Sequence, residues 1–335
     1  MGVVYEAYDP DLDRTVALKT ISIAFAIAPT DREAFEQRFF AEARISARLT
    51  HPGIVVVHDV GRDAASGILY IALERLPGRT VADLVARGQS LPWREALRIA
   101  KGVGEALHYA HGHKVVHLDV KPANVMVLPS GEPKLMDFGI AHIGTTGMKL
   151  TGSGDFFGTP LFMAPEQALG QEVDARADLF ALGAILYAMT TGRHAFDAPN
   201  VAAILTRVIS GDPVPPSQLI PGVPSGVDAI VAHALAKARD RRYPDGQTMA
   251  EDLADVLAGR SRRHCAGWQP GILPAMDAAP APSLGTLAGM DVDALSDDSA
   301  AATASRPSQA QSDWDVDAAL DHLVGPAPTE PDASD

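Results

Sequence analysis

An α+β fold of two unequal lobes is predicted by three changes of character along the chain. Up to Leu76 the sequence alternates turn-forming residues with short runs rich in Val, Ile, Thr and Tyr, the pattern of strands. After Pro77-Gly78, apolar residues recur at helical spacing in one segment after another. Towards the C-terminus the chain turns to Ala, Pro, Ser and Asp, too poor in aromatic and branched residues to offset the entropy of ordering. The expected organisation is a small mostly-β lobe at 1–76, a larger mostly-helical lobe at 77–260 and a disordered acidic tail at 261–335. Two lobes of different secondary structure meet at a cleft, and such junctions are favoured ligand sites.

In the first lobe, Gly2–Tyr8 and Thr15–Ile23 read as strands joined by the turn Asp9-Pro10-Asp11-Leu12-Asp13. Asp31–Leu49 carries Phe35, Phe39 and Ala43 at helical spacing and stops at His51-Pro52-Gly53. Ile54–Val60 and Ile68–Leu73 then form an expected hairpin across a loop containing Ser66-Gly67. In the second lobe, Trp93–His111 aligns Leu97, Ala100, Val103, Leu107 and Ala110 on one stripe, the mark of a core-packed helix. Helical patterns follow at Ala177–Thr190, Val201–Ile209, Val227–Ala238 and Gln247–Ala258. Leu179–Met189 is apolar throughout and directly follows Asp178. It falls well short of the ~18 residues a membrane helix needs, so it predicts a buried core helix and no membrane span.

The net charge of −14 argues against nucleic acid or an anionic membrane as the main partner. Most of it lies in residues 266–335, with 12 acidic residues against the single basic Arg306, leaving −3 for the rest. One cysteine, Cys265, makes neither an internal disulfide nor a structural zinc site, and a reducing cytoplasm is the expected location. The start, MGVVYEAYDP, lacks the basic and long apolar regions of a signal peptide. In the tail, Val316, Ala319, Leu320, Leu323 and Val324 recur at helical spacing, and a chance pattern is preferred there over a docking helix.

Three polar clusters sit at strand ends or turns. Lys19 ends the apolar run Val16-Ala17-Leu18, His117-Leu118-Asp119-Val120-Lys121-Pro122-Ala123-Asn124 precedes the apolar Val125-Met126-Val127, and Lys134-Leu135-Met136 leads into Asp137-Phe138-Gly139. Asn124 and Asp137 are hard oxygen donors suited to Mg²⁺. Lys19 and Lys121 are cations suited to phosphate oxygens, and Asp119 is a carboxylate able to take a proton from a hydroxyl. A magnesium site, two cations and a base describe phosphoryl transfer, which depends on positioning and charge stabilisation. Taken singly, Asp137 reads as a turn aspartate and Glu42 as a solvated helix charge. His117 reads as a core histidine supporting its loop, His51 as a helix-stop residue and His58 as a strand residue. The histidines show no zinc-ligand spacing.

Val16-Ala17-Leu18-Lys19, His117-Leu118-Asp119 with Asn124, Asp137-Phe138-Gly139 and Ala164-Pro165-Glu166 follow the order V-A-I-K, H-R-D-L-x-x-x-N, D-F-G and A-P-E. Any one is a weak match; four in order make a strong signal. From Met1 to Ala258 the chain resembles the bacterial eukaryotic-like (Hanks-type) serine/threonine protein kinases, and the resemblance implies a two-lobed protein-kinase fold. It implies that Lys19 holds the α- and β-phosphates of ATP and pairs with Glu42. Glu74 and Leu76 would offer backbone groups to adenine, Val4, Ala17 and Met126 would sandwich the ring, and Gly2 would belong to the glycine-rich loop. Asp119 would be the catalytic base, Lys121 would neutralise the γ-phosphate, and Asn124 and Asp137 would hold Mg²⁺. Lys121-Pro122 and Gly158-Thr159-Pro160 are similar to the serine/threonine class, which implies that Thr159 would bond Asp119. Asp178 and Gly183 match the helix that anchors the catalytic loop, and Arg242 would pair with Glu166.

Two departures stand against that pattern. The glycine-rich loop is cut at Met1, two glycines short, and the first strand is missing. Met1 is then either an internal methionine or the start of a truncated protein, with an exposed sheet edge, weaker ATP binding and lower stability expected. Leu118 stands where the family usually has an arginine that receives a phosphate on the activation segment. The expected activity is transfer of the γ-phosphate of Mg-ATP to Ser/Thr hydroxyls of protein substrates, the chain itself included, with Thr151 the first expected autophosphorylation site ahead of Thr145, Thr146 and Ser153. The alternative is a kinase-fold scaffold or binding module with little catalysis.

Overall fold

The computed structural model describes residues 3–21, 32–64, 66–138 and 160–265. Gly2, the segment holding Thr145, Thr146, Thr151, Ser153 and Thr159, and the tail from 266 with its helical pattern lie outside the described residues. The chain divides into two compact units, which in the described residues comprise 3–44 with 56–75, and 45–55 with 76–265.

The first unit is a four-stranded antiparallel sheet with a helix. Strands β1 (Val3–Asp9), β2 (Arg14–Ile21), β3 (Val57–Arg62) and β4 (Leu69–Glu74) lie in the order β1-β2-β4-β3. The alternation expected of strands is present in β2, where Val16, Leu18 and Thr20 are buried while Ala17 and Lys19 lie on the opposite face. Ala7, Val16 and Leu18 form a small core on that first face, with Tyr70 and Ala72 packed against it. Helix α1 (Arg32–Ser46) buries Phe39, Ala43 and Ser46, one position per turn.

The expected strand Ile54–Val60 is shorter than the apolar run implied, since β3 starts only at Val57. Leu135 takes the preceding residues: its N–H donates to the Gly53 carbonyl at 2.8 Å, and its own carbonyl accepts from the Val55 N–H at 3.0 Å. Residues 45–55 therefore belong with the second unit, and the boundary expected at 76 misses this excursion.

The second unit carries a three-stranded antiparallel sheet, β5 (Arg79–Thr80), β6 (Val125–Val127) and β7 (Pro133–Leu135). Its helices are α2 (Val81–Leu84), α3 (Trp93–Gly112), α4 (Pro165–Ala168), α5 (Arg176–Thr191), α6 (Val201–Ser210), α7 (Pro216–Leu219), α8 (Ser225–Ala234) and α9 (Gly246–Leu257). Every residue of α5 from Ala177 to Thr191 is buried, as its all-round apolar sequence requires. The expected stripe of α3 is buried as well, joined by Ala96, Ile99 and Ala106. Helix α5 ends at Gly192, whose φ of 68° is left-handed and suits glycine.

Two C-terminal boundaries differ from expectation. Helix α8 stops at Ala234 instead of running to Ala238, because Arg242 draws the next carbonyls away from helical bonding. Its Nε donates to the Ala236 carbonyl at 2.8 Å and its Nη2 to that of Lys237 at 3.1 Å. Lys237 in turn donates to the Val208 carbonyl at 2.9 Å at the end of α6, over the Phe196 ring. Burial pushes its ammonium down to about 7, with Asp212 acting against that shift.

The second difference is at 261–265, expected to open the tail, which instead packs on α9. The Asp252 carboxylate accepts the Arg263 and His264 N–H groups at 2.9 Å each, and Asp255 accepts from the Arg260 and Arg263 guanidinium groups. Cys265 is 3% exposed beside the Tyr243 hydroxyl. Its thiol is pushed up to about 12 by burial.

Gly183 sets the approach of α5 to α8, since an added Cβ would lie 2.6 Å from that of Ala234. Gly183→Ala gains up to about 1 kcal/mol of helix propensity. It forces overpacking that costs about 1–3 kcal/mol. The expected outcome is a net loss of stability, read as a lower urea midpoint with unchanged slope.

Candidate active site

The loop that carries Asp119, Lys121 and Asn124 is shaped by one buried carboxylate. Asp178, 1% exposed, stands in the first turn of α5. Its Oδ2 accepts from the His117 N–H and from His111 Nε2, and its Oδ1 from the Leu118 N–H, each at 2.8 Å. Gln167 Nε2 donates to the carbonyl of the same Leu118 at 3.0 Å, while Gln167 Oε1 accepts the Ala164 N–H at 2.9 Å. Leu118 is thereby held at φ 63°. That region costs a residue with a Cβ about 1–2 kcal/mol. Both ends of the residue must be held for the turn to persist.

Beyond this turn the site residues converge. Asp119 Oδ2 accepts from Lys121 Nζ at 2.7 Å and from Asn124 Nδ2 at 3.1 Å, and that Nδ2 also donates to the Asp119 carbonyl at 2.8 Å. The carboxylate is 35% exposed and the ammonium 43%. An ion pair this solvated contributes little stability, so Lys121 can leave Asp119 for an incoming anion at small cost.

Asn124 closes a 3-10 turn, Pro122–Asn124, and its carbonyl accepts the Met136 N–H at 2.8 Å. This bond extends the β6–β7 ladder, which pairs Val125 with Leu135 and Met126 with Lys134. The hairpin therefore brings Asn124 alongside the residue that precedes Asp137. Asp137 has φ 63°, a second left-handed position without glycine.

His117 braces both sides of this arrangement. Its Nε2 lies 2.8 Å from the Met136 carbonyl, which can only accept, so Nε2 bears the hydrogen. Nδ1 is left to accept the Asp119 N–H at 3.3 Å. The ring packs on Phe138 with centroids 4.6 Å apart. His117 is fully buried and supports its loop, as expected from sequence.

Among the described residues, no group of three or more His, Cys, Asp or Glu side chains could hold a metal ion. Asn124 and Asp137 supply one amide and one carboxylate oxygen. That sparse set of hard donors fits Mg²⁺, which keeps water and phosphate oxygens in its shell. The amide nitrogen of Asn124 is committed to Asp119, which leaves the amide oxygen as the donor for a cation.

In the first unit, β1 pairs Val4 with Lys19 and Glu6 with Ala17, and β4 pairs Ile71 with Lys19 and Leu73 with Ala17. Val4, Ala17 and Lys19 thus share one face of the sheet. Val4 is 58% exposed there. Glu42 lies on α1 in the same unit, and burial pushes its carboxyl up to about 7, with Arg38 drawing it back. Glu74 donates its N–H to the Val56 carbonyl at 2.9 Å. Leu76 and Met126 belong to the second unit.

The pair expected between Arg242 and Glu166 is present. Nη1 and Nη2 donate to the two carboxylate oxygens at 2.7 Å each, both side chains being almost fully buried. His111 and Gln167 were not singled out by sequence; each acts through a bond to a residue far along the chain, and neither sits in a motif.

Residues 1–243 match the protein kinase domain family, and the chain belongs to it. It is 38% identical over 263 residues to a probable serine/threonine-protein kinase of Streptomyces coelicolor, an overlap of 78% of this chain and 38% of that one. It is 36% identical over 262 residues to the serine/threonine-protein kinase PknB of Mycobacterium leprae, covering 78% of this chain and 42% of that one. The chain thus spans less than half the length of these relatives. Among solved structures, the Mycobacterium tuberculosis PknI kinase domain aligns with TM-score 0.60 and 32% identity, covering 77% of this chain and 91% of that domain. The family uses ATP and a divalent metal. Among the described residues, no helix is long and apolar enough to cross a membrane.

Asp178→Asn replaces one acceptor with a donor facing N–H groups. The expected outcome is a stability loss of about 1–3 kcal/mol, the cost of orphaned buried groups. Urea unfolding measures it, and the loop around Asp119 should show faster amide exchange.

Proposed function

We propose that this chain is a serine/threonine protein kinase that transfers the γ-phosphate of Mg-ATP to protein hydroxyls, its own included. The observation that carries the reading is the position of Asp119. Its carboxylate is fixed by Asn124 and Lys121 in a loop braced by Asp178, and the β6–β7 hairpin sets Asn124 beside the approach to Asp137.

Asp119 accepts the proton of the acceptor hydroxyl, whose oxygen forms the new bond to the γ-phosphorus. The bond from that phosphorus to the β–γ bridging oxygen breaks, and ADP leaves with the electron pair. Lys121 moves from Asp119 to the transferring phosphoryl group and offsets its charge. Asn124 and Asp137 would hold Mg²⁺, which would supply charge neutralisation on the phosphates when bound. By the family's pattern, Lys19 and Glu42 would orient the α- and β-phosphates, Val4, Ala17 and Met126 would take the adenine, and the backbone of Glu74 and Leu76 would bind its edge. By the same pattern, Gly2 would belong to the glycine-rich loop. The reducing cytoplasm expected from the single cysteine belongs to the same reading.

Asp119→Asn keeps the size and the bond to Asn124 but removes the base. The expected loss is about 10²–10⁴-fold in transfer of labelled γ-phosphate, with ADP affinity unchanged. Transfer at the wild-type rate would reject the assignment, and no transfer by the folded wild-type chain would favour a scaffold.

Leu118 offers no cation for a phosphate on the activation segment. Thr151→Ala should therefore retain most of the transfer to a protein substrate while losing incorporation at position 151, as read by phosphopeptide mapping. Abolished turnover in this variant would contradict the reading.

A further inference from the structure

The segment Met136–Phe138 is held at more points than its hairpin requires. The Met136 carbonyl accepts from His117 Nε2 at 2.8 Å, and its N–H donates to Asn124 at 2.8 Å. On the other side of Asp137, the Phe138 carbonyl accepts from the hydroxyl of Ser46 at 3.0 Å, a contact across 92 residues of sequence. Ser46 is 8% exposed and Phe138 3%. Between these two fixed peptides lies Asp137 at φ 63°. A left-handed aspartate has an ordinary backbone alternative, and it stays left-handed only if the backbone before and after it cannot follow that change. His117 holds the peptide that enters Asp137, and Ser46 holds the peptide that leaves Phe138, so a swing of Asp137 to the ordinary region would have to carry the Phe138 carbonyl away from Ser46.

We infer that Ser46 is a positioning residue for the metal-binding carboxylate: its hydroxyl, by fixing the Phe138 carbonyl, keeps Asp137 in its left-handed conformation. This rests on the reading of Asp137 as the Mg²⁺ ligand. Ser46 touches neither the metal nor the nucleotide in this account, and it acts only through the peptide it holds. Serine is suited to the position because it is small enough for the buried helix end and still donates. Alanine would leave a buried carbonyl without that donor, and threonine would keep it.

The test compares wild type, Ser46→Ala and Ser46→Thr by isothermal titration of MgCl₂ into the chain saturated with ADP. The Mg²⁺ dependence of phosphate transfer at saturating ATP and amide exchange at Asp137 and Phe138 are followed in parallel. The expected result is Mg²⁺ affinity lowered at least fivefold in Ser46→Ala, with faster exchange at both amides and an unchanged KM for the protein substrate. Ser46→Thr should lie within twofold of wild type. A general loss of packing would lower the melting temperature without this selective change in Mg²⁺ affinity. Mg²⁺ affinity in Ser46→Ala equal to wild type would overturn the inference, as would equal weakening in the alanine and threonine variants. If the wild-type chain itself bound no Mg²⁺ with ADP, the phosphotransfer reading would fall first, and this inference with it.

Discussion

The acceptance of three N–H groups by the carboxylate of Asp178 is the constraint on which the site depends. A carboxylate 1% exposed in a helix whose buried side chains are mostly apolar is costly unless its oxygens are met by donors. Two backbone N–H groups and His111 meet them. Because α5 is buried along its length, the carboxylate cannot shift without disturbing the packed core. The loop inherits the rigidity of that core, and Asp119, one residue further on, inherits the rigidity of the loop.

A second buried charge organises the other end of the unit. The guanidinium of Arg242 spends two donors on Glu166 and others on the carbonyls of Ala236, Lys237 and Arg176. This planar fork meets a carboxylate and several unpaired carbonyls at once, which a lysine could not do. The same bonds end α8 and hold α4, from which Gln167 reaches the Leu118 carbonyl. The two buried ion sites thus grip opposite ends of one residue in the loop that carries Asp119, through separate helices.

Much of this was legible in the sequence. The apolar run of α5, the stripe of α3 and the alternation in β2 are periodicities set by burial, and burial is what the fold realises. The four motifs located Asp119, Asn124 and Asp137, and the structure gathers Asp119, Lys121 and Asn124 through direct bonds. What the sequence withheld are contacts between residues far apart in order. Leu135 claims Val55 from an apolar run that reads as one strand, Ser46 meets Phe138, and Arg242 interrupts a helix whose own residues favour continuing. Each is decided by a partner that local pattern does not contain. The ordered stretch at 261–265 was missed for a similar reason, since its anchors are the carboxylates of Asp252 and Asp255 on a preceding helix.

The left-handed turn at Leu118 has a consequence for how such a chain can change over time. Its geometry is enforced by bonds to the backbone on either side, from Asp178 and Gln167, and none of them involves the leucine side chain. The side chain can therefore be exchanged, charged for uncharged, without dismantling the turn or displacing the carboxylate beside it. A cation at this position can be lost or gained by exchange of the side chain alone, with the backbone turn beside Asp119 kept.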